Sequence, residues 1–449
     1  MGRDETNLGI AEAAVKLAGK QGAEQVEAYI SRQKELNIDV RNGHVETMKF
    51  AEDSGLGLRV ICGTRSGFSY STDLSVEGIK TTVRQALANC GKTALDPYHS
   101  LPAPDMVYPE LDLYDPDIRE ATIEAKIDLA RSMEQTALDY DPRVKIIESA
   151  TYQDGEVLVT IVNSRGMKLT CQRGYCGIYL ALAASEGHDT QNGFALDYRL
   201  KYKQLNPDKV GREAAQRAVR MLGATPFPTK KTIVVLDPYV ATNFLSLIAP
   251  ALTSEAVQKG RSLFAGKVGD KMISEKLTII DDGALNSGIA STPFDGEGVA
   301  TASTVLIKDG ILQGFLYNSY TAAKENMRST GNGVRSSFKG TPEVGTTNFF
   351  IDTGSTPVDN MIKDVTDGIY ITEVMGMHTA NPISGDFSVG VAGLWIEEGK
   401  LTKPVRGMAL GGNIIDLLAS VDAVGNDLQF YGSKGSPTLR LAEMTVSGQ

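Results

Sequence analysis

Ala224-Thr225-Pro226-Phe227-Pro228-Thr229-Lys230-Lys231, followed at once by Thr232-Ile233-Val234-Val235-Leu236, divides the chain into two unlike halves. Prolines at 226 and 228 remove backbone donors and oppose helix, so the first eight residues read as a linker. The β-branched apolar run behind them reads as a buried strand that opens a new domain. The fold class that follows is α+β in two domains. A mixed helix/strand domain is expected over 1–223, a linker over 224–231, and a second domain dominated by antiparallel sheet over 232–449.

Upstream of the linker, Asn206 is a good N-cap before Pro207, and Val210, Ala214, Ala218 and Met221 share one helical face up to Gly223. Strands before it are expected to turn at Gln153-Asp154-Gly155 and at Asn163-Ser164-Arg165-Gly166, behind a helix marked by Ile123, Ile127, Ala130 and Ala137. Asp96 to Asp117, with Pro97, Pro102, Pro104, Pro109 and Pro116, reads as an extended surface connector. Before that come an opening helix with Ile10, Ala14 and Leu17 on one face, a hairpin at Asn42-Gly43, and a helix from about Ser75 to Cys90. Residues 24–90 and 146–222 thus both read as strands closed by a helix, a pattern common enough in α+β proteins to need no duplication. Downstream, one helical stretch from Pro238 to about Gly260 gives way to strands, with hairpins at Asp309-Gly310 and Glu398-Gly399.

Composition narrows the function. The 449 residues are 42% hydrophobic and 22% charged, as in an ordinary folded protein, and the net charge of −10 gives no drive toward nucleic acid or an anionic membrane. Ile233 to Leu252 is interrupted by Asp237, Pro238, Asn243 and Pro250, so no membrane-spanning helix is expected there. The opening Met1-Gly2-Arg3-Asp4-Glu5-Thr6 lacks the basic and apolar regions of a secretory signal, and a cytoplasmic location is the expectation. Cys62, Cys90, Cys171 and Cys176 form no CxxC pair, which excludes a zinc ribbon and leaves buried or free thiols. There is no G-x-S-x-G elbow, phosphate loop or dinucleotide turn; Gly91-Lys92-Thr93 fails as a phosphate loop because residue 86 is alanine.

The densest polar cluster runs from Gly376 to Ser388, between two strands, where sites tend to lie. Its His378, Asn381, Gly385, Asp386 and Ser388 are candidates for a peptide groove or an interface, although Asn381 and Asp386 also suit the simpler task of capping turn amides. Arg328 to Thr347, rich in Gly, Ser and Thr, reads as a mobile loop or as a lid. Asp281, Asp282, Asp295 and Glu297 lack the spacing of a calcium loop and read as loop and cap residues. The histidines His44, His99, His188 and His378 are scattered singly.

Gly368-Ile-Tyr-Ile-Thr-Glu-Val-Met-Gly-Met377 and Asn381-Pro-Ile-Ser-Gly-Asp-Phe-Ser388 resemble the PmbA/TldE branch of the TldD/PmbA family, whose older label is modulator of DNA gyrase. Val235-Leu236-Asp237-Pro238, Glu255 to Arg261, Pro293 to Gly298, Ser329 to Asn332 and Trp395 to Lys400 agree in order across the second half. The resemblance implies a bacterial or archaeal cytosolic metallopeptidase system, in which a zinc-bearing TldD pairs with TldE around a cavity that processes unfolded peptides. The zinc motif of TldD is H-E-x-x-x-H with a later cysteine. At those positions this chain has Ser246, Leu247 and Ala251, and no cysteine follows Cys176. The implied role is a metal-free partner subunit without catalytic residues or cofactor of its own, with zinc in the TldD-like partner. A heterodimer is expected, or a homodimer in isolation, with no direct nucleic-acid or membrane contact. The alternatives are a divergent peptidase acting alone and a non-enzymatic peptide-binding module.

Overall fold

The structure, a computed structural model, describes residues 3–104 and 106–448; Met1, Gly2, Asp105 and Gln449, including the start of the segment read for targeting, lie outside the described residues. The first half contains α1 (Arg3–Lys20), β1 (Gln25–Arg41), β2 (His44–Cys62), β3 (Arg65–Ser71), α2 (Val76–Cys90), α3 (Pro116–Glu120), α4 (Ile123–Tyr140), β4 (Val144–Asn163), β5 (Lys168–Glu186), β6 (Asp189–Arg199) and α5 (Pro207–Val219). Its strands form one antiparallel sheet in the order β3-β2-β1-β4-β5-β6. Asn42 and Gly43, at φ 52° and 72°, make the expected hairpin turn, and Ser75 and Asn206 cap their helices as their side chains predict.

Strand alternation assigns the two faces of this sheet. Along β1, Val26, Ala28 and Ile30 pack with α1 and α2, and Leu36, Ile38 and Val40 pack with α4 and α5. The intervening Glu27 and Tyr29 point the other way, toward the second half of the chain. The element order, helix then three strands then helix, occurs twice, and β1 and β4 meet at the centre of the sheet. The two copies share a detail that a chance α+β pattern does not require. A Cβ on Gly67 of β3 would lie 2.2 Å from the Ala86 carbonyl and 2.5 Å from the Cys90 nitrogen of α2. One on Gly193 of β6 would lie 2.2 Å from the Ala214 carbonyl and 2.6 Å from the Ala218 nitrogen of α5. Both edge strands use glycine to let the closing helix seat on the sheet.

One expected turn is absent. Gln153, Asp154 and Gly155 lie inside β4, whose backbone is paired with β1 on one side and β5 on the other. Asp154 binds Lys126 at 2.6 Å and the Tyr152 hydroxyl at 3.0 Å, and Gly155 leaves room for the Tyr175 ring. The Asp-Gly pair therefore serves an ion pair and a close approach, not a reversal.

The second half contains β7 (Thr225–Pro226), β8 (Lys230–Leu236), α6 (Pro238–Ile248), α7 (Ser254–Gln258), β9 (Ile279–Asp282), β10 (Ser303–Lys308), β11 (Ile311–Leu312), α8 (Ser319–Lys324), β12 (Gly333–Val334), β13 (Glu343–Val344) and β14 (Asn348–Ile351). It continues with α9 (Val358–Lys363), β15 (Asp367–Met375), β16 (Asp386–Glu397), β17 (Lys400–Asn413), α10 (Ile414–Ala419), β18 (Val421–Val424), β19 (Gln429–Tyr431), β20 (Lys434–Ser436) and β21 (Leu439–Ser447). One sheet runs β18-β21-β8-β15-β16-β17-β7, and an added β21–β17 pairing closes its middle strands into a small barrel. The other sheet runs β11-β10-β9-β14-β20-β19. Most pairings are antiparallel; β8–β15, β14–β20 and β7–β17 are parallel.

Residues 224–231 are more than a tether. Thr225 and Pro226 pair with Val405 and Arg406, fully buried Phe227 packs edge-on to Trp395 at 4.8 Å, and Lys230 and Lys231 already belong to β8. We retain this segment as the proposed domain boundary because, among the described residues, no strand of the first sheet pairs with a strand of the second half.

Arg328 to Thr347 is an anchored clasp across the two halves, not a free loop. Phe338 is buried against β2, where a side chain on Gly55 would collide with its ring, and Lys339 meets Asp53 at 2.7 Å. Arg335 reaches Glu27 at 2.5 Å, Glu27 also binds Arg59 at 2.8 Å, and Arg59 contacts Glu297 at 3.3 Å. The second half thus seals the open face of the first sheet with an aromatic cluster of Tyr29, Ile161, Met167, Phe294 and Phe338 and a buried chain of charges.

Candidate peptide groove

Strand β8 leads into α6 through Asp237, whose carboxylate caps the Tyr239 amide at 3.0 Å and accepts the Tyr370 hydroxyl at 3.1 Å. Pro238 occupies the first helical turn, and Val240, Ala241, Phe244, Leu245 and Ile248 hold the helix in the core. Pro250 breaks the expected long helix into α6, a short 3₁₀ turn over Pro250–Leu252, and α7.

The three residues aligned with the zinc motif do not converge here. Ser246 is exposed but donates its hydroxyl to the Thr242 carbonyl at 2.7 Å. Leu247 and Ala251 are only 9% and 1% exposed and belong to the core cluster. Neither carries a donor atom, so this set does not fit zinc. Among the described residues no group of three or more His, Cys, Asp or Glu side chains could hold a metal ion. The cysteines are all free thiols.

Beside Ser246 lies a groove of about 580 Å³. Its walls come from the turn after α6, from α7 and the residues behind it with Glu255, Lys259 and Arg261, from Val344, Gly345 and Thr346 at the end of the clasp, from Pro382 and Ile383 of the 376–388 loop, and from Lys434 on β20. The two segments singled out in the sequence therefore meet, but through other residues than those named. Asn381 accepts the Ile383 and Ser384 amides at 2.9 and 3.3 Å, an Asx-type turn, and its own amide donates to the Asp386 carbonyl. Gly385 supplies the left-handed position of that turn at φ 81°. Asp386 accepts from Asn413 at 3.0 Å, and that bond, with Ser384, holds its carboxyl below the usual range. His378 is exposed on the 3₁₀ turn Met377–Thr379, and Ser388 is exposed on β16.

Lys434 is the residue that the sequence reading missed. Its ammonium bonds the Thr346 hydroxyl and lies 5.0 Å over the Phe349 ring. Burial brings its pKa down to about 8, while Asp281 acts the other way. Asp281 is itself pushed up to about 6 by burial, although Asn332 at 2.6 Å and Thr347 at 2.7 and 2.8 Å favour its charged form. Asp281 and Asp282 are thus loop supports, with Asp282 capping the Ala284 amide. A lysine flanked by serine and glycine carries no periodicity or motif, so nothing in the sequence marked it. Chemically, the groove offers main-chain groups, apolar edges, the cations of Lys259, Arg261 and Lys434 and the carboxylate of Glu255. Its dimensions suit an extended chain.

The PmbA/TldA metallopeptidase C-terminal domain matches residues 229–448, domain 1 matches 26–90, and the central domain matches 116–222. The chain is similar to metalloprotease PmbA of Escherichia coli O157:H7, 31% identical over 97% of this chain and 95% of that protein. It is also similar to a metalloprotease TldD homologue of Haemophilus influenzae, 27% identical over 91% and 90%. Among solved structures, a candidate modulator of a DNA gyrase from Thermotoga maritima superposes with a TM-score of 0.91 at 26% identity, covering 98% of this chain and 99% of that one. TldE from Thermococcus kodakarensis shares the fold with a TM-score of 0.91 at 22% identity, over 98% and 100%.

Proposed function

We propose, from the premise that this chain belongs to the PmbA/TldD metallopeptidase family, that it is a metal-free TldE/PmbA-type subunit of a cytoplasmic two-subunit peptidase. The observation that carries the reading is Ser246, Leu247 and Ala251 at the ligand positions, two of them buried hydrocarbon. A leucine cannot act as a base and an alanine cannot bind zinc, so the metal and the hydrolysis belong to a TldD-like partner. This subunit contributes the groove beside α6, where main-chain groups of Val344 to Thr346 and the edges of Pro382 and Ile383 suit an unfolded peptide irrespective of its sequence. The net charge of −10 gives no support for direct DNA contact. No helix among the described residues is long and apolar enough to cross a membrane.

Co-purification from the native source tests the pairing. The expected result is a stoichiometric complex with a TldD-like chain that carries the zinc. A protein recovered only as a monomer with no such companion would overturn it, and stoichiometric zinc on this chain alone would favour the divergent peptidase instead.

A further inference from the structure

Main-chain contacts are blind to side-chain chemistry, but the charges on the wall of the groove beside α6 are not. That wall carries four charged residues, Glu255, Lys259, Arg261 and Lys434. Glu255 and Lys259, one helical turn apart at α7, pair with each other at 2.6 Å and cancel. Arg261 is exposed, and its side chain makes no hydrogen bond or ion pair among the described residues. Lys434 is half-buried, held on β20 against β14 with its ammonium over the Phe349 ring. An ammonium has three donors, and that of Lys434 gives one to the Thr346 hydroxyl and has no carboxylate within ion-pair distance among the described residues.

Three cations against one carboxylate leave two positive charges in excess on this wall, in a chain whose net charge is −10. Asp281, which is not on the wall, is the acid whose charge acts on Lys434, and its carboxyl is already engaged by Asn332 and Thr347. Counted as fully ionised it still leaves one positive charge, so the sign of the wall does not depend on its protonation. Pro250, Val344, Pro382 and Ile383 supply apolar surface beside these cations, where less water is present to screen them. A basic segment is repelled by such a wall, and a neutral one gains only apolar and main-chain contacts. A segment that carries a carboxylate gains in addition a charge-assisted hydrogen bond. We propose that the groove selects peptides that place a carboxylate, from an acidic side chain or from the C-terminus, against Lys434 and Arg261. Such selectivity rests on the reading that the groove receives peptide, and names the class of peptide it favours.

Fluorescence anisotropy with labelled, unstructured peptides of Ala, Val and Ser tests this on the full chain, alone and with a TldD-like subunit added. Three C-terminally amidated peptides differ only in a central Glu, Gln or Lys, and the Gln peptide is also made with a free C-terminus. The Glu peptide is expected to bind about fivefold or more tighter than the Gln amide, with the Lys peptide weakest and the preference shrinking as salt rises. Tighter binding of the free-acid Gln peptide than of its amide, without a Glu preference, identifies the C-terminus as the carboxylate received. Lys434→Met, which keeps the apolar stem over Phe349, should bring charged and neutral peptides to equal affinity. Arg261→Gln, at an exposed position with no ion pair to break, should reduce the preference with the fold unchanged by circular dichroism. Equal binding of all four peptides that Ile383→Asp abolishes would overturn the selectivity and leave the groove reading standing. A carboxylate preference undiminished in both Lys434→Met and Arg261→Gln would overturn it too, and no binding of any peptide would overturn the groove reading along with it.

Discussion

Glu27 holds two buried arginines on one carboxylate, and its pKa is lowered despite burial because Arg59 and Arg335 both stabilise the charged form. Removing it leaves both guanidinium groups without their shared anion. Glu27→Ala should therefore cost about 3–5 kcal/mol in urea unfolding, well above the effect of an exposed pair such as Lys80–Glu77. Asp295 gives a pH signature of definite sign. Its folded pKa near 7 lies above the unfolded value of 3.8, so between these limits the folded chain holds a proton that the unfolded chain has released. This contribution is complete below about pH 4 and is lost as pH rises through 7. Asp281, raised to about 6, acts in the same direction. Urea midpoints measured from pH 4.5 to 7.5 should fall less steeply in Asp295→Asn than in wild type. None of this was legible in the sequence, because Glu27 and Arg335 stand 308 residues apart and no local pattern links them. The sequence shows only the type of each residue, and Asp295 and Glu297 read there as ordinary loop acids.

At the scale of elements, turns and caps were legible where one residue's chemistry decides them. Asn42-Gly43, Asp309-Gly310 and Glu398-Gly399 all adopt positive φ, and Ser75 and Asn206 cap as expected. The Asp-Gly inside β4 misled because tertiary pairing on both strand edges overrides a local turn preference. The repeat of helix, three strands and helix was visible only as a coarse pattern, and its paired glycines become meaningful once the helices are seated. Gly67→Ala and Gly193→Ala should each destabilise the chain by about 1–3 kcal/mol through overpacking, read as a lowered thermal midpoint. An alanine tolerated at either position would remove the structural equivalence. In the 376–388 loop, Asn381→Ala removes the acceptor of two turn amides and should cost about 0.5–1.5 kcal/mol, seen first as faster local amide exchange around Ile383.

For the whole molecule, the sequence located the two segments that border the groove, but not the residues that line it. Which side chains face a cavity depends on how β14, β20 and α6 pack together, and that is a long-range property. If the groove receives peptide for a partner's zinc, Ile383→Asp should lower turnover by the assembled pair about tenfold or more while leaving assembly intact. Ile383 is half exposed at the rim and outside the core cluster, so the fold should tolerate the change. The proposed division of labour leaves this chain with no hydrolytic centre of its own. Its most direct test is the cleavage of an unfolded peptide by the purified chain after zinc reconstitution, measured alone and then with a TldD-like subunit added. No turnover is expected from the chain alone, and turnover is expected only with the partner; cleavage by the isolated chain that a chelator abolishes and zinc restores would contradict this assignment.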